Sequence, residues 1–348
     1  MYKELLEKLR DTHTLSEDEY LELILHRDAI RDDAAKMAQE ECEKHYGDRV
    51  FIRGLIEFTN YCRNNCYYCG IRAGNAKAER YRLTPAEIAR CADEGYLLGF
   101  RTFVLQGGED PYYTDEILCG IVKDLKSRHP DCAVTLSVGE KPYESLRALR
   151  EAGADRYLLR HETADPEHYR SLHPDWMSFD NRQRCIADLK SLGYQVGVGF
   201  MVGSPGQTER HLAREMLYLK KIDPEMVGIG PFIPHKDTPF AEKPGGSAEL
   251  TTFLLSLIRL TLPEVLLPAT TALGTVDPAG REKGIMAGAN VVMPNLSPTD
   301  VRGKYLLYDN KICTGDEAAQ CIQCLKKRIE KTGRTIVTAR GDYAGRRQ

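Results

Sequence analysis

"VFIRGLIEFTNYCRNNCYYCGIR", residues 50–72, joins an apolar, β-branched run to three cysteines within eight positions. The run has the composition of a strand buried on both faces, and the polar stretch behind it reads as the loop leaving that strand. Cys62, Cys66 and Cys69 stand four and then three apart, and the nearest histidine downstream is His129. A closed zinc site takes four ligands, usually as two close pairs, so zinc here would need a fourth ligand from elsewhere. Cysteine thiolates serve iron–sulfur clusters equally well. A four-iron cubane held by three cysteines keeps one iron open to a substrate or cofactor, as a catalytic zinc keeps an open position. Both readings stand at this point, with the missing fourth ligand weighing toward the cluster.

Downstream of this stretch the chain alternates. Strand-like runs recur at "TFVLQ", "AVTLSV", "RYLLR", "VGVGFMV", "MVGIGPFI", "LLPATTAL" and "NVVMP", with helix-period stretches such as "TPAEIARCADEGYLLG" between most of them. Eight strands alternating with helices predict an α/β fold, a (β/α)₈ TIM-type barrel over residues 48–300. A doubly wound open sheet is the competitor, because the pattern alone does not show closure. Residues 1–47 read as an N-terminal helical extension, with Ser16 and Glu19 offering a capping box. Residues 301–348 form a C-terminal cysteine-containing segment whose basic end, "TGRTIVTARGDYAGRRQ", reads as a solvated tail. In a barrel, function collects at the carboxyl ends of the strands. "QGGEDP", "RHET", "GSPGQT", "GPFIPH", "TTALGT" and "MPN" fall there, and so does the cysteine loop.

The 348 residues carry 48 basic and 51 acidic side chains, a net charge of −3. That balance argues against a nucleic-acid partner. The charged amphipathic start lacks the apolar core of a signal peptide, and no run reaches the ~20 apolar residues of a membrane helix. A soluble, cytoplasmic protein with no membrane partner is expected. Of the eleven cysteines, Cys42, Cys91, Cys119, Cys132 and Cys185 are scattered singles. They read as buried thiols acting as small apolar residues.

C-x3-C-x2-C with an aromatic, Tyr68, before the third cysteine resembles the signature of the radical S-adenosylmethionine (SAM) enzymes. The resemblance implies a 4Fe–4S cluster on Cys62, Cys66 and Cys69 whose open iron binds SAM. It also implies a SAM site that includes Tyr68, Gln106, Gly107 and Gly108 in "QGGED", Glu162 in "RHET", Arg182 in "FDNR", Met201 in "GFMVGSPGQT", and Tyr305. The protein's part in such chemistry is to hold the cofactor and exclude competing reactions.

A second group, C-x7-C-x2-C at Cys313, Cys321 and Cys324, reads from spacing alone as a metal site or as unpaired thiols. "YLLRHETADP", "GIGPFIPHKDTP", "PATTALGT" and "NVVMPN" resemble the HydE family of FeFe-hydrogenase maturases over almost the whole chain. That resemblance implies an auxiliary 2Fe–2S cluster on the late group and an anionic, organometallic substrate, a cysteine-ligated iron carbonyl–cyanide complex. It further implies contact with HydF and HydG and an electron donor such as ferredoxin or flavodoxin. Thr135, Arg156, Arg160, Thr270 and Thr271 are the expected substrate residues, the two arginines sharing one side of the fourth strand. Methylornithine synthase, the lysine mutase of pyrrolysine synthesis, is the runner-up, since it does not need the late cysteines. Biotin synthase fits less well, because the barrel singles fall mostly on helices rather than on inner strand ends.

Overall fold

The computed structural model describes residues 2–312 and 322–345. The strands are β1 (Arg49–Ile52), β2 (Gly54–Thr59), β3 (Thr102–Gly107), β4 (Ala133–Ser137), β5 (Arg156–Leu158), β6 (Gln195–Val198), β7 (Met201–Val202), β8 (Met226–Val227), β9 (Gly230–Pro231), β10 (Val291–Val292) and β11 (Thr335–Val337). β2, β3, β4, β5, β6 and β8 pair in that order, every pair parallel. β1 and β2 are one line of chain interrupted at Arg53, and β7 and β9 continue β6 and β8 upward as a second parallel pair.

Single bridges carry the ring from β8 back to its start. Met226 bridges to Leu266, Pro268 to Val291, and Asn295 to Leu55. Backbone hydrogen bonds fill the gaps: Val227 N to Leu266 O, Ala269 N to Val291 O, Phe51 N to Asn290 O and Leu55 N to Pro294 O. The pairing therefore returns to the strand that began it, the arrangement of a barrel with a very short seventh staple. The expected seventh strand, "LLPATTAL", is strand-like only at Leu266 and Pro268. Thr270 caps a helix, Thr271–Val276, by accepting a hydrogen bond from Leu273 N. A threonine hydroxyl in front of Ala-Leu-Gly offers the backbone that cap in place of a strand ladder.

Outside the ring, helices such as Pro85–Leu97 and Asp115–Arg128 begin at Thr84 and Thr114, whose hydroxyls accept backbone N–H groups. Ser16 and Glu19 form the expected capping box at Glu17–Leu25. The N-terminal helix Arg31–Tyr46 packs on Ala248–Thr261 of the barrel's outer layer. No helix among the described residues is long and apolar enough to cross a membrane. Cys42, Cys91, Cys132 and Cys185 are buried free thiols, and Cys119 is half-buried.

Residues 335–345 are not a solvated tail. β11 pairs in parallel with β1, and the residues after it cross the amino end of the barrel. The Arg340 and Gly341 carbonyls and the Asp342 carboxylate accept hydrogen bonds from Arg156 at 2.9, 3.1 and 2.7 Å. Thr102 Oγ1 also donates to Arg340 O. Gly341 has φ +59°, and a Cβ there would stand 2.6 Å from the Phe51 ring, so only glycine passes this point. Basic composition suggested solvent; the alternation "TIV" and the glycine instead let the tail close the barrel floor.

Candidate active site

The cysteine loop leaves β2 at a register irregularity between Glu57 and Thr59, which turns the chain over the barrel mouth. Arg80 staples the loop by donating to the carbonyls of Asn60, Ile71, Arg72 and Asn75 at 2.5–3.1 Å. Asn60 Nδ2 reaches Glu79 O and Lys304 O, and Gly70 N donates to Leu307 O. These contacts hold the loop through its backbone, without using a sulfur. Gly108 must be glycine for the same reason: a Cβ would meet Tyr61 O at 2.1 Å and Cys62 Cβ at 2.7 Å. The close approach made possible by "QGG" is to the cysteine loop itself.

Burial raises all three thiols, with Cys69 pushed up to about 12 and Cys66, also repelled by Cys69 and Cys62, well above its ordinary value. Three adjacent thiolates need a cation to exist together, which is what a bound metal supplies. Among the described residues no three Cys, His, Asp or Glu side chains converge as ligands of a single ion. A cluster does not require this, since each thiolate holds a different iron. Glu109 N donates to Cys62 Sγ at 3.4 Å, and Cys66 Sγ lies 3.7 Å from Met177 Sδ. The donor set fits a polynuclear iron–sulfur cluster.

Around the loop stand most of the expected cofactor residues. Tyr68 OH meets His173 Nε2 at 3.2 Å and its ring packs with Met201, Leu172 and Phe232. Burial lowers His173 to about 4, so it is neutral; its Nδ1–H serves Tyr169 O and Nε2 accepts from Tyr68. Gln106 Nε2 donates to Tyr305 OH at 3.3 Å. Gly107 ends β3 beside Thr59. Arg182, an expected cofactor residue, holds Glu140 Oε1 at 2.5 Å and the Arg160 carbonyl at 2.5 Å.

Glu162 lies in the left-handed region at φ +67° and is buried. Among the described residues its Oε2, and Nε and Nη2 of Arg160, have no hydrogen-bond partner, although Arg160 Nε is 3.7 Å from Glu162 Oε1. Thr135 Oγ1 on β4 is likewise buried without a partner. Native proteins rarely leave such groups unsatisfied, so these atoms mark where a ligand completes the site. Thr270 is engaged as a helix cap, and Thr271 Oγ1 accepts weakly from Arg281 at 3.5 Å.

Arg156 does not join them. Its guanidinium is fully buried among Thr102, Gln195 and the C-terminal tail, at the amino ends of the strands. Arg156 and Arg160 have the same sequence parity, but β5 ends at Leu158, so four residues of rise separate floor from mouth. The expected substrate role of Arg156 is replaced by a structural one. Cys324 lies in the helix Ile322–Glu330, whereas Cys313 and Cys321 lie outside the described residues.

Several residues of the site were not singled out from the sequence. Glu57 projects from β2 with Lys311 Nζ on Oε1 at 2.5 Å and Asn295 Nδ2 on Oε2 at 2.8 Å. Lys311 also donates to Tyr305 O, so the segment leading to the late cysteines is anchored inside the barrel. A glutamate within the apolar run "GLIEFT" was the available signal. Glu140, His173 and Met177 carried none.

Residues 56–219 match the model of the radical SAM superfamily. The chain is 48% identical over 332 residues, 95% of its length and 94% of the relative's, to the [FeFe] hydrogenase maturase subunit HydE of Thermotoga maritima. It is 29% identical to 3-methylornithine synthase of Methanosarcina acetivorans, over 94% of this chain and 92% of the relative. The crystal structure of methylornithine synthase (PylB) superimposes with a TM-score of 0.82 at 27% identity, covering 96% of this chain and 97% of that one. The cysteine loop, the barrel that carries it and the near-full-length identity converge on one assignment: this chain is a radical SAM enzyme of the HydE family of FeFe-hydrogenase maturases.

Proposed function

We propose that the protein acts in assembly of the di-iron part of the FeFe-hydrogenase active site, on a cysteine-ligated iron carbonyl–cyanide precursor. The observation that carries this reading is 48% identity to a HydE across 95% of the chain, against 29% for the methylornithine synthase. Cys62, Cys66 and Cys69 would hold the 4Fe–4S cluster, and Tyr68, Gln106, Gly107, Gly108, Glu162, Arg182, Met201 and Tyr305 would form the SAM site. When bound, the cluster supplies the electron that cleaves SAM to methionine and a 5′-deoxyadenosyl radical. The protein's residues do the rest. The stapled loop holds the thiolates, Tyr68 and Met201 wall off water, and the Arg160–Glu162 ion pair keeps buried polar atoms free to meet a ligand.

Thr135, Arg160, Thr270 and Thr271 are the proposed substrate residues, an anionic ligand being one that the half-buried Arg160 guanidinium compensates. HydF and HydG as partners, ferredoxin or flavodoxin as electron donor, and a cytoplasmic setting belong to the same proposal. The decisive experiment is anaerobic maturation of apo-hydrogenase with HydF and HydG. Hydrogenase activity should depend on adding the reconstituted protein. Full maturation without it, or conversion of lysine to 3-methylornithine by it, would overturn the reading.

Two further outcomes are expected. Arg160→Leu should weaken binding of a cysteine-derived anionic ligand by about ten- to a hundredfold, the loss of a charge-assisted hydrogen bond. Titration of cluster-loaded protein reads it, and unchanged affinity would move the substrate site elsewhere. Replacing Cys313, Cys321 and Cys324 together by Ala should remove iron but leave SAM cleavage within about threefold, an auxiliary cluster lying outside the reacting centre. Iron analysis with electron paramagnetic resonance measures the first part. Complete loss of cleavage in the folded variant would place the late group in the reaction.

A further inference from the structure

Glu162 is a strained residue at the mouth of the barrel. A glutamate at φ +67° has neither the freedom of glycine nor the short side chain of asparagine, and such residues persist only where their surroundings impose the conformation. On the side of the helix Glu209–Ile222 those surroundings are polar, buried and paired. Glu215, on the helix Glu209–Ile222, has no exposed side-chain surface. One of its oxygens accepts from His161 Nε2 at 2.7 Å and the other from the Ala164 backbone N–H at 2.7 Å. A single carboxylate therefore grips the chain on both sides of Glu162.

The grip continues through the histidine. His161, also without exposed surface, accepts the Gly199 N–H on Nδ1 at 3.2 Å and lies against the Tyr218 ring at 4.4 Å. With Nδ1 accepting, Nε2 carries the proton that Glu215 receives, so the tautomer is set. Glu162 N itself donates to Gly199 O at 3.0 Å, and Glu162 bridges to Phe200. Residues 161, 162 and 164 are thus tied to the next strand and helix, and only the Glu162 side chain, with its unpartnered Oε2, is left over.

We propose that Glu215, acting through His161 and the Ala164 amide, is a positioning residue that imposes the left-handed backbone at Glu162 and so aims its carboxylate at the cofactor. The inference rests on the reading of Glu162 as a SAM ligand. Neither Glu215 nor His161 touches the cofactor in this account. Glu215→Gln keeps an acceptor for the Ala164 N–H, but its amide faces the His161 N–H with a donor, or forces the ring to surrender the Gly199 bond.

A double-mutant cycle on SAM binding to the cluster-loaded protein distinguishes positioning from simple packing. Glu162→Gln and Glu215→Gln should each weaken SAM roughly tenfold, and the double variant should be no weaker than the worse single one. In the cluster-free protein, Glu215→Gln should speed hydrogen exchange at the Glu162 and Ala164 amides, with the remainder of the barrel protected. Should Glu215→Gln fail to fold, His161→Asn retains an acceptor for Gly199, releases Glu215, and should give the same non-additive loss. Parent-like SAM affinity in the Glu215 and His161 variants, or losses that multiply in the double variant, would overturn the inference. Unchanged SAM affinity in Glu162→Gln would overturn the cofactor role of Glu162 itself, a separate failure.

Discussion

Replacing any one of Cys62, Cys66 and Cys69 by Ala is expected to abolish reductive cleavage of SAM. Each thiolate holds a different iron, so two cannot keep the cubane seated with one iron open to the cofactor. Removing groups that merely orient metal ligands costs ten- to a hundredfold, so loss of a ligand should cost on the order of a thousandfold or more. The loop should still fold, because Arg80, Asn60 and Gly70 hold it through backbone contacts that involve no sulfur. Anaerobic reconstitution, iron analysis and 5′-deoxyadenosine release measure the effect, with Cys91→Ala, a buried thiol on a barrel helix, as the control. Cleavage surviving in a triple-alanine variant would remove the basis of the radical SAM assignment.

Arg156→Leu should unfold the barrel floor and leave the cofactor site alone. The parent guanidinium makes hydrogen bonds to Gln195, Thr102, two tail carbonyls and Asp342. Leucine would strand several of these acceptors, at a cost of about 2–4 kcal/mol. Thermal and denaturant unfolding should register that loss while the folded variant binds SAM as the parent does.

The pH dependence carries a sign. Burial alone would raise the Asp342 carboxyl, but hydrogen bonds from Arg340 and the charge and hydrogen bond of Arg156 bring it down to about 2 from an ordinary 3.8. A lowered carboxyl stabilises the fold above its unfolded value and loses that contribution as pH falls through the folded one. The stability gap between parent and Arg156→Leu should therefore narrow between about pH 4 and pH 2. If the variant is as stable as the parent but binds a cysteine-derived ligand poorly, Arg156 belongs to the substrate site after all.

Much of this molecule is legible in its sequence. The thiolate triplet behind a buried strand, the alternation of strands and helices, and the cap at Ser16 are local patterns with local causes. Spacing of three and four residues sets which groups share a loop, and hydroxyls before helical stretches set where those begin. Even the site residues gathered at the mouth followed from one rule, since parallel strands deliver all their carboxyl ends to the same face.

What the sequence could not decide were contacts between segments far apart in the chain. Arg156 and Arg160 look alike in "DRYLLR", yet one meets Asp342, 186 residues on, and the other is left beside Glu162. Local spacing says which way a side chain points and not what waits there. The same holds for Lys311, a surface-type residue in "NKIC" that pairs with Glu57 across 254 positions. It holds too for Glu215, one glutamate in an amphipathic helix until folding lays it beneath His161. Composition and periodicity determined that this chain would form a parallel α/β fold with a three-thiol site at one end. Only the closing of the ring decided which of its charges became buried partners and which kept unsatisfied atoms at the mouth, because a charge inside a protein takes its role from the group that compensates it.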